Sequence, residues 1–383
     1  MLNKLKSLFA PEQKKFGAQP LVSLYAAGRP QWTPRNYAAL AREGFASNAI
    51  GYRCVRMIAE AASSVPLLLY QGPNEVVAHP LLSMLQRPNP AQSGRDLIEN
   101  IVSYLLIAGN SYIEVSTLDN TPRELMALRP DRVRVIPGTN GWPAYYEYAV
   151  YGEIAKLPAD KVLHIRLFNP LDDYYGQSPL EAAQRSIDTH NSASAWNKSM
   201  LDNAARPSGA LVFAASDEHL TTEQFERLKS ELESSYQGAA NAGRPMVLEG
   251  GLDWKEMGYS PKDMDFISAK NSSAREIALA FGVPPMLLGI PGDNTFSNYA
   301  EANRTFWRQT VVPLLGRVTD ALGNFVGPAF GPDLRLTYDL DQVEALSSDR
   351  DALWARVDKA GFLSDAEKRA AVGYGKGEVV SSE

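Results

Sequence analysis

The chain has 383 residues, 45% hydrophobic and 21% charged, which suits two or three packed domains and excludes a globally disordered polymer. A formal net charge of −6 excludes a broad basic face gripping nucleic-acid phosphates, although not a wall that surrounds DNA without gripping it. Cys54 is the single cysteine, so neither an intrachain disulfide nor a cysteine-built zinc site is available, and no apolar run reaches the length of a membrane span.

Residues 1–34 read as an N-terminal arm. MLNKLKSLF lacks the apolar stretch of a signal peptide, and Pro, Gly, Gln and Lys follow it. From Asn48, the residues Ile50, Val55, Ile58, Ala62 and Val65 recur at helical spacing until Pro66. Leu67 to Tyr70 is a short buried strand, and His79-Pro80 opens a short helix that stops before Pro88. Ser93 and Asp96 form a capping pair. The helix behind them buries Leu97, Ile101, Leu105 and Tyr104 and ends at Gly109-Asn110. Strands are expected at Tyr112 to Ser116, Val133 to Ile136, Tyr145 to Tyr151 and Val162 to Phe168. The unit 35–177 is therefore α+β.

Ser178-Pro179-Leu180-Glu181 is a helix start: an acceptor at the cap, a proline where no N–H is needed, and an acid at the positive end. That helix, 178–205, is rich in Ala, Ser and Asn, which allow close helix–helix approach. Residues 206–259 read as a compact insert. It has a strand at Ala210 to Phe213, a helix after Thr221 burying Phe225, Leu228, Leu232 and Tyr236, and a returning strand at Met246 to Leu248. A second capped helix, 260–282, stops at Gly282, Pro284 and Pro285. The loop 283–296 follows, with Gly289 and Gly292 freeing its backbone and Asn298 with Glu301 expected to cap the next helix. That last long helix should kink at Pro313. A strand at Leu334 to Tyr338, a helix near 347–360 and a polar Gly-rich tail close the chain.

The catalytic signals are thin. His79, His164, His190 and His219 have no ligand spacing. Asp172-Asp173 and Asp339-x-Asp341 suit a divalent cation but also loop and strand-end carboxylates, the commoner role. No GxSxG, HExxH or Walker A sequence occurs, and GYGKG near Gly373 lacks the rest of a phosphate loop. No cofactor is expected.

Several segments together resemble the portal proteins of HK97-type tailed bacteriophages, especially those of gene-transfer-agent and related prophage particles. They are HPLLSMLQRPNP at 79–90, LLIAGNSYIEV at 105–115, KVLHIRLFNP at 161–170, YGQSPLEAA at 175–183, LDNAARPSGALV at 201–212, the stretch 243–292, and SNYAEANRTFWRQTVVPLL at 297–315. The resemblance implies a portal fold. Its α/β wing is 35–177 with a long kinked helix and strand at 297–345. Its two stem helices are 178–205 and 260–282, its α/β clip 206–259, its tunnel loop 283–296 and its short crown and tail 346–383. It further implies a homo-dodecamer at one capsid vertex of a virion, assembled in the bacterial cytoplasm. Double-stranded DNA would pass its channel without sequence specificity during packaging and ejection. Implied partners are the large terminase, a head–tail adaptor and the major capsid protein, with no membrane. Ile290, Pro291, Gly292, Asp293, Asn294, Thr295 and Phe296 would line the channel, and Glu226, Lys229 and Glu233 would face docking partners. Such a protein is not an enzyme. The alternatives are another capsid or head-completion component, or a metal-dependent hydrolase built on Asp172, Asp173 and His164.

Overall fold

The computed structural model describes residues 32–119, 121–202, 209–213, 221, 223, 226–227, 229–230, 252–256, 266–291 and 296–373. The chain divides into units 1–32 and 33–383, and the second carries the fold described here. It begins with α1 (Tyr37–Leu40) and a wide π turn, Ala41–Ala46. Asn48 then caps α2 (Ala49–Ser64), its Oδ1 accepting from the N–H groups of Ile50 and Gly51 at 3.1 and 2.9 Å. Pro66 ends α2, and β1 (Leu67–Gln71) follows with the short β2 (Asn74–Glu75). His79 caps α3 (Pro80–Gln86), and the Ser93–Asp96 capping box opens α4 (Gly94–Ala108).

The helical period of α2 and α4 sets the main core. Cys54, Val55, Ile58, Ala59 and Ala62 face Leu97, Ile101, Val102 and Leu105, all at most 1% exposed. Each such aliphatic side chain contributes roughly 1.5–3 kcal/mol by leaving water. The strands arrange as β4 (Thr121–Leu128), β3 (Asn110–Leu118) and β8 (Val162–Arg166) in one antiparallel sheet. A second holds β5 (Val133–Pro137), β6 (Pro143–Val150) and β7 (Glu153–Pro158). Two of these six strands, β4 and β7, go beyond the sequence expectation. Tyr112, Leu128, Val133, Val135, Tyr146 and Val162 form the apolar layer shared by the two sheets.

Three of the motifs quoted above meet at one joint. Gly109 ends α4 at φ 73°, where a Cβ would lie 2.4 Å from the carbonyl oxygen of Gly176. Asn110 beside it is 5% exposed. Its Oδ1 accepts from Gly176 N at 2.8 Å and from His164 Nε2 at 3.0 Å, while its Nδ2 donates to Ala108 O at 2.9 Å. One amide thus fixes the end of α4, the strand β8 and the entry to the next helix.

Ser178 caps α5 (Pro179–Ala182), accepting from Glu181 N at 2.9 Å. The expected single helix is interrupted at Ala183 and continues as α6 (Gln184–Asp202). In the insert, β9 (Gly209–Phe213) pairs antiparallel with β10 (Leu252–Glu256). The strand expected at Met246 to Leu248 lies outside the described residues, as do Phe225, Leu228, Leu232 and Tyr236. Helix α7 (Phe266–Phe281) ends at Gly282 with φ 67°.

The last long helix comes in two pieces, α8 (Phe296–Phe306) and α9 (Val312–Val326), joined by a π turn over Trp307–Val311. The expected distortion at Pro313 takes this form. Pro313 has no N–H to give, and the turn before it widens so that Val312 N–H bonds to Trp307 O. Strand β11 (Leu334–Tyr338) then pairs with β1, from Leu67↔Tyr338 to Gln71↔Leu334. Helices α10 (Ser347–Asp358) and α11 (Asp365–Ala371) follow. The second, opened by a Ser364–Glu367 capping box, stands where a polar tail was expected. The fold is α+β: helices with several small sheets.

Candidate functional site

The segment expected as a mobile loop, 283–296, is partly built down onto its own chain. Val283 is 2% exposed and Pro285–Leu288 forms one 3-10 turn closed by Gly289 at φ 70°. Ile290 is 5% exposed and packs with Ala274, Ala278, Ile50 and Leu288, its N–H bonded to Pro285 O at 3.2 Å. The Arg275 guanidinium donates to the carbonyl of Pro291. Ile290 is therefore a packing residue of the single chain, because an aliphatic side chain next to the apolar face of α7 gains more from burial than from exposure. Pro291 is exposed. Gly292, Asp293, Asn294 and Thr295 lie outside the described residues, and Phe296 begins the backbone of α8. Asn298 accordingly stands inside the first turn of α8 rather than before it, so it is not the N-cap the sequence suggested.

Both ends of this segment are fixed by specific contacts. At its start, the Thr310 hydroxyl on the π turn donates to Gly282 O at 2.6 Å, satisfying a carbonyl left open by the end of α7. Beyond it, Arg304 of α8 pairs with Glu301 and, at 3.2 Å, with Asp349 of α10. Sequence reasoning missed Thr310, whose partner is 28 residues away and leaves no local pattern.

On the insert, Glu226 and Lys229 are exposed, and Glu233 lies outside the described residues. The helices α6 and α7 lie side by side, joined by Ser186 Oγ to Glu276 Oε2 at 2.5 Å.

Two of the carboxylates considered for metal accept backbone hydrogen bonds. Asp172 Oδ1 accepts from the N–H groups of Tyr174 and Tyr175 at 2.7 and 2.9 Å. Asp339 Oδ1 accepts from Asp341 N at 2.8 Å. His164 stacks on Tyr112 with ring centroids 4.3 Å apart. Burial first, then the Arg166 charge, push its pKa down to about 3, so it is a neutral packing group. Asp172, Asp173 and His164 do line one groove of about 830 Å³ with Arg166 and Arg317. Among the described residues, however, no group of three or more His, Cys, Asp or Glu side chains is placed to hold a metal. Nor is any described helix long and apolar enough to cross a membrane.

The comparisons with known proteins follow the same outline. The family described as Phage portal protein matches residues 49–373. A chain in the neck of a native gene transfer agent (GTA) particle, computed with C12 symmetry, is 50% identical. That match has a TM-score of 0.69 and covers 91% of this chain and 96% of the other. An uncharacterized protein of Rickettsia bellii (strain RML369-C) is 44% identical over 343 residues, 87% of this chain and 88% of its own. An HK97 family phage portal protein from Corynebacterium diphtheriae shares the fold at TM-score 0.58 and 15% identity, covering 82% and 98%. The family pattern runs through nearly every described element, and the chain belongs to the phage portal protein family.

Proposed function

We propose that twelve copies of this chain close into a ring at one vertex of a phage-type particle and form the conduit for DNA packaging and exit. The observation that carries this reading is the match to a neck chain of a particle with C12 symmetry, across 91% of this sequence. In this reading 35–177 with 297–345 is the wing, and the β1–β11 pairing supports joining those two stretches. Helices α6 and α7 are the stem, β9 and β10 with the helical residues between them belong to the clip, and 346–373 begins the short crown. Gly292 to Thr295, between the anchored Pro291 and α8, line the channel. The protein works without catalysis, as a structural member of a structural family.

Charge supports a conduit over a grip. Twelve copies at −6 each carry about −72, and an acidic wall centres the duplex within the roughly 8–10 Å reach of electrostatics at physiological salt. Sequence-specific reading of bases is not part of this function. The large terminase and later a head–tail adaptor would dock at the clip, and the major capsid protein around the wing. The reading is tested by the mass and image of the purified chain. Rings of about twelve 42.0 kDa subunits with a central hole are expected, and a monomeric mass at every concentration and salt would refute it. Glu226→Lys combined with Lys229→Glu reverses exposed charges only. It should leave the rings intact and weaken terminase binding, and unchanged binding would remove these two residues from the docking face.

A further inference from the structure

The start of α2 and the first half of α6 are joined through one buried amide. Asn48 is 1% exposed and His190 8%. Because Asn48 Oδ1 must accept from Ile50 N and Gly51 N to cap α2, the orientation of its amide is set, and both Nδ2 hydrogens face α6. One bonds to Asn191 Oδ1 at 2.9 Å, and the other meets His190 Nδ1 at 3.2 Å. A ring nitrogen that receives an N–H must present its lone pair, so Nδ1 is bare and the imidazole proton sits on Nε2. Asn191 in turn donates to Glu43 O at 2.9 Å, tying the same point to the first π turn.

We propose that Asn48 and His190 form a proton-sensitive latch that positions α6 against α2, closed while His190 is neutral and opened when its Nδ1 is protonated. Protonation would set two donors face to face in a buried site, with the Asn48 N–H left without an acceptor. The surroundings do not rescue the cation. Lys270 of α7 repels it, while Asp188 on α6 is already engaged by the Thr33 N–H and hydroxyl at 2.9 and 2.5 Å. Glu43 contributes its main-chain oxygen. Burial, and after it Lys270, hold the His190 pKa below its ordinary value, and the Asn191 side chain acts in the opposite sense. With the folded value below the unfolded one of about 6.5, the latch is complete above that pH and is lost as pH falls through the folded value. The Ser186–Glu276 bond to α7 does not involve this site, so opening loosens the hold of the α2 cap on α6, leaving the Asn48–Asn191 bond alone there, while the α6–α7 pair stays joined. The latch needs only α2, α6 and α7 and stands apart from the ring reading.

Two measurements on the full chain test it between pH 8 and 5: hydrogen–deuterium exchange at the His190 ring carbon, which reports its titration midpoint, and amide exchange across 184–202. For the unmodified chain we expect a midpoint below 6.5 and, once the slower intrinsic exchange at lower pH is divided out, at least a tenfold loss of amide protection in α6 as pH falls through it. His190→Gln keeps a polar side chain without a titrating group and should flatten the amide profile. Asn48→Asp keeps the cap acceptor but turns the donor into a carboxylate oxygen. It should raise the midpoint above 6.5 and reverse the pH dependence. A midpoint at or above 6.5 in the unmodified chain, or α6 exchange that ignores it, overturns the proposal. Both are read without any substitution, so a variant that fails to fold does not shelter it.

Discussion

Single amides and imidazoles, buried wholly or in part, hold this molecule at its joints. His164 is the sharpest case, because its Nε2 donates to Asn110 while its ring stacks on Tyr112. Its folded pKa is lowered to about 3 and its unfolded value is about 6.5, so acid favours the unfolded chain. The stabilisation is whole above pH 6.5 and drains away as pH falls toward 3. Between pH 6.5 and 5, above the range where carboxylates titrate, this one histidine should remove roughly 1.5 kcal/mol of stability. Denaturant melts of the protein and of His164→Gln across that window check the prediction. The variant starts less stable and loses less with acid, and equal slopes would show that His164 is not buried neutral. How legible such residues were depended on the distance to their partners. The Ser93–Asp96 box and the Ser178 cap lie within three residues of what they bond, and the sequence displays both. Asn110 reaches Gly176 across 66 residues and Asn48 reaches His190 across 142, and no local spacing records either.

Elements were readable where one face is buried and obscure where none is. Helices α2 and α4 announce themselves by apolar residues every three or four positions. Strand β7 has no such signature: five of its six residues are exposed, so the alternation that marks a half-buried strand is missing. Strand β4 buries only Pro122, Leu125 and Leu128 of eight, again out of period. Helix α11 was the opposite failure, for its Ser364–Glu367 box is present in the sequence but encloses no buried residue to confirm it. The long C-terminal helix shows what a proline does when the chain has a use for the distortion. The π turn before Pro313 points the Thr310 hydroxyl at Gly282 O and so staples the end of α7 to the middle of the long helix. Thr310→Val keeps the shape and deletes the donor. It should cost about 1 kcal/mol in unfolding. It should also speed amide exchange at 283–291 more than elsewhere, whereas uniform exchange across the chain would mean that the staple does not hold this segment.

At the scale of the whole molecule, order along the chain said more than any single motif. The resembling segments run from 79 to 315 in family order, and the match to the portal family spans 49–373. The fold was therefore recoverable, while the channel-lining residues were not, since a lining exists only when copies surround an axis and one sequence carries no record of that axis. Ile290 illustrates this: read from composition it belongs to an exposed loop, yet it is 5% exposed against α7. In the proposed ring the segment assigned to the channel is 292–295, whose one charged residue is Asp293. Repeated twelve times around a duplex, that carboxylate would repel phosphate and leave the DNA free to slide, whereas a ring of lysines would attract it and set up a salt-dependent barrier to movement. Asp293→Lys is expected to assemble normally, because the contacts that hold the flanking residues, Ile290 against Ala274 and Ala278 on one side and the Arg304–Asp349 pair on the other, are built from other side chains. It should slow packaging and ejection, most strongly at low salt where the Debye length is longest, with Asp293→Ala in between. The comparison is packaged length and rate for the three proteins at two ionic strengths. Equal rates at low salt would place Asp293 away from the duplex, and a salt-independent defect would indicate a damaged loop rather than a charge on the DNA path.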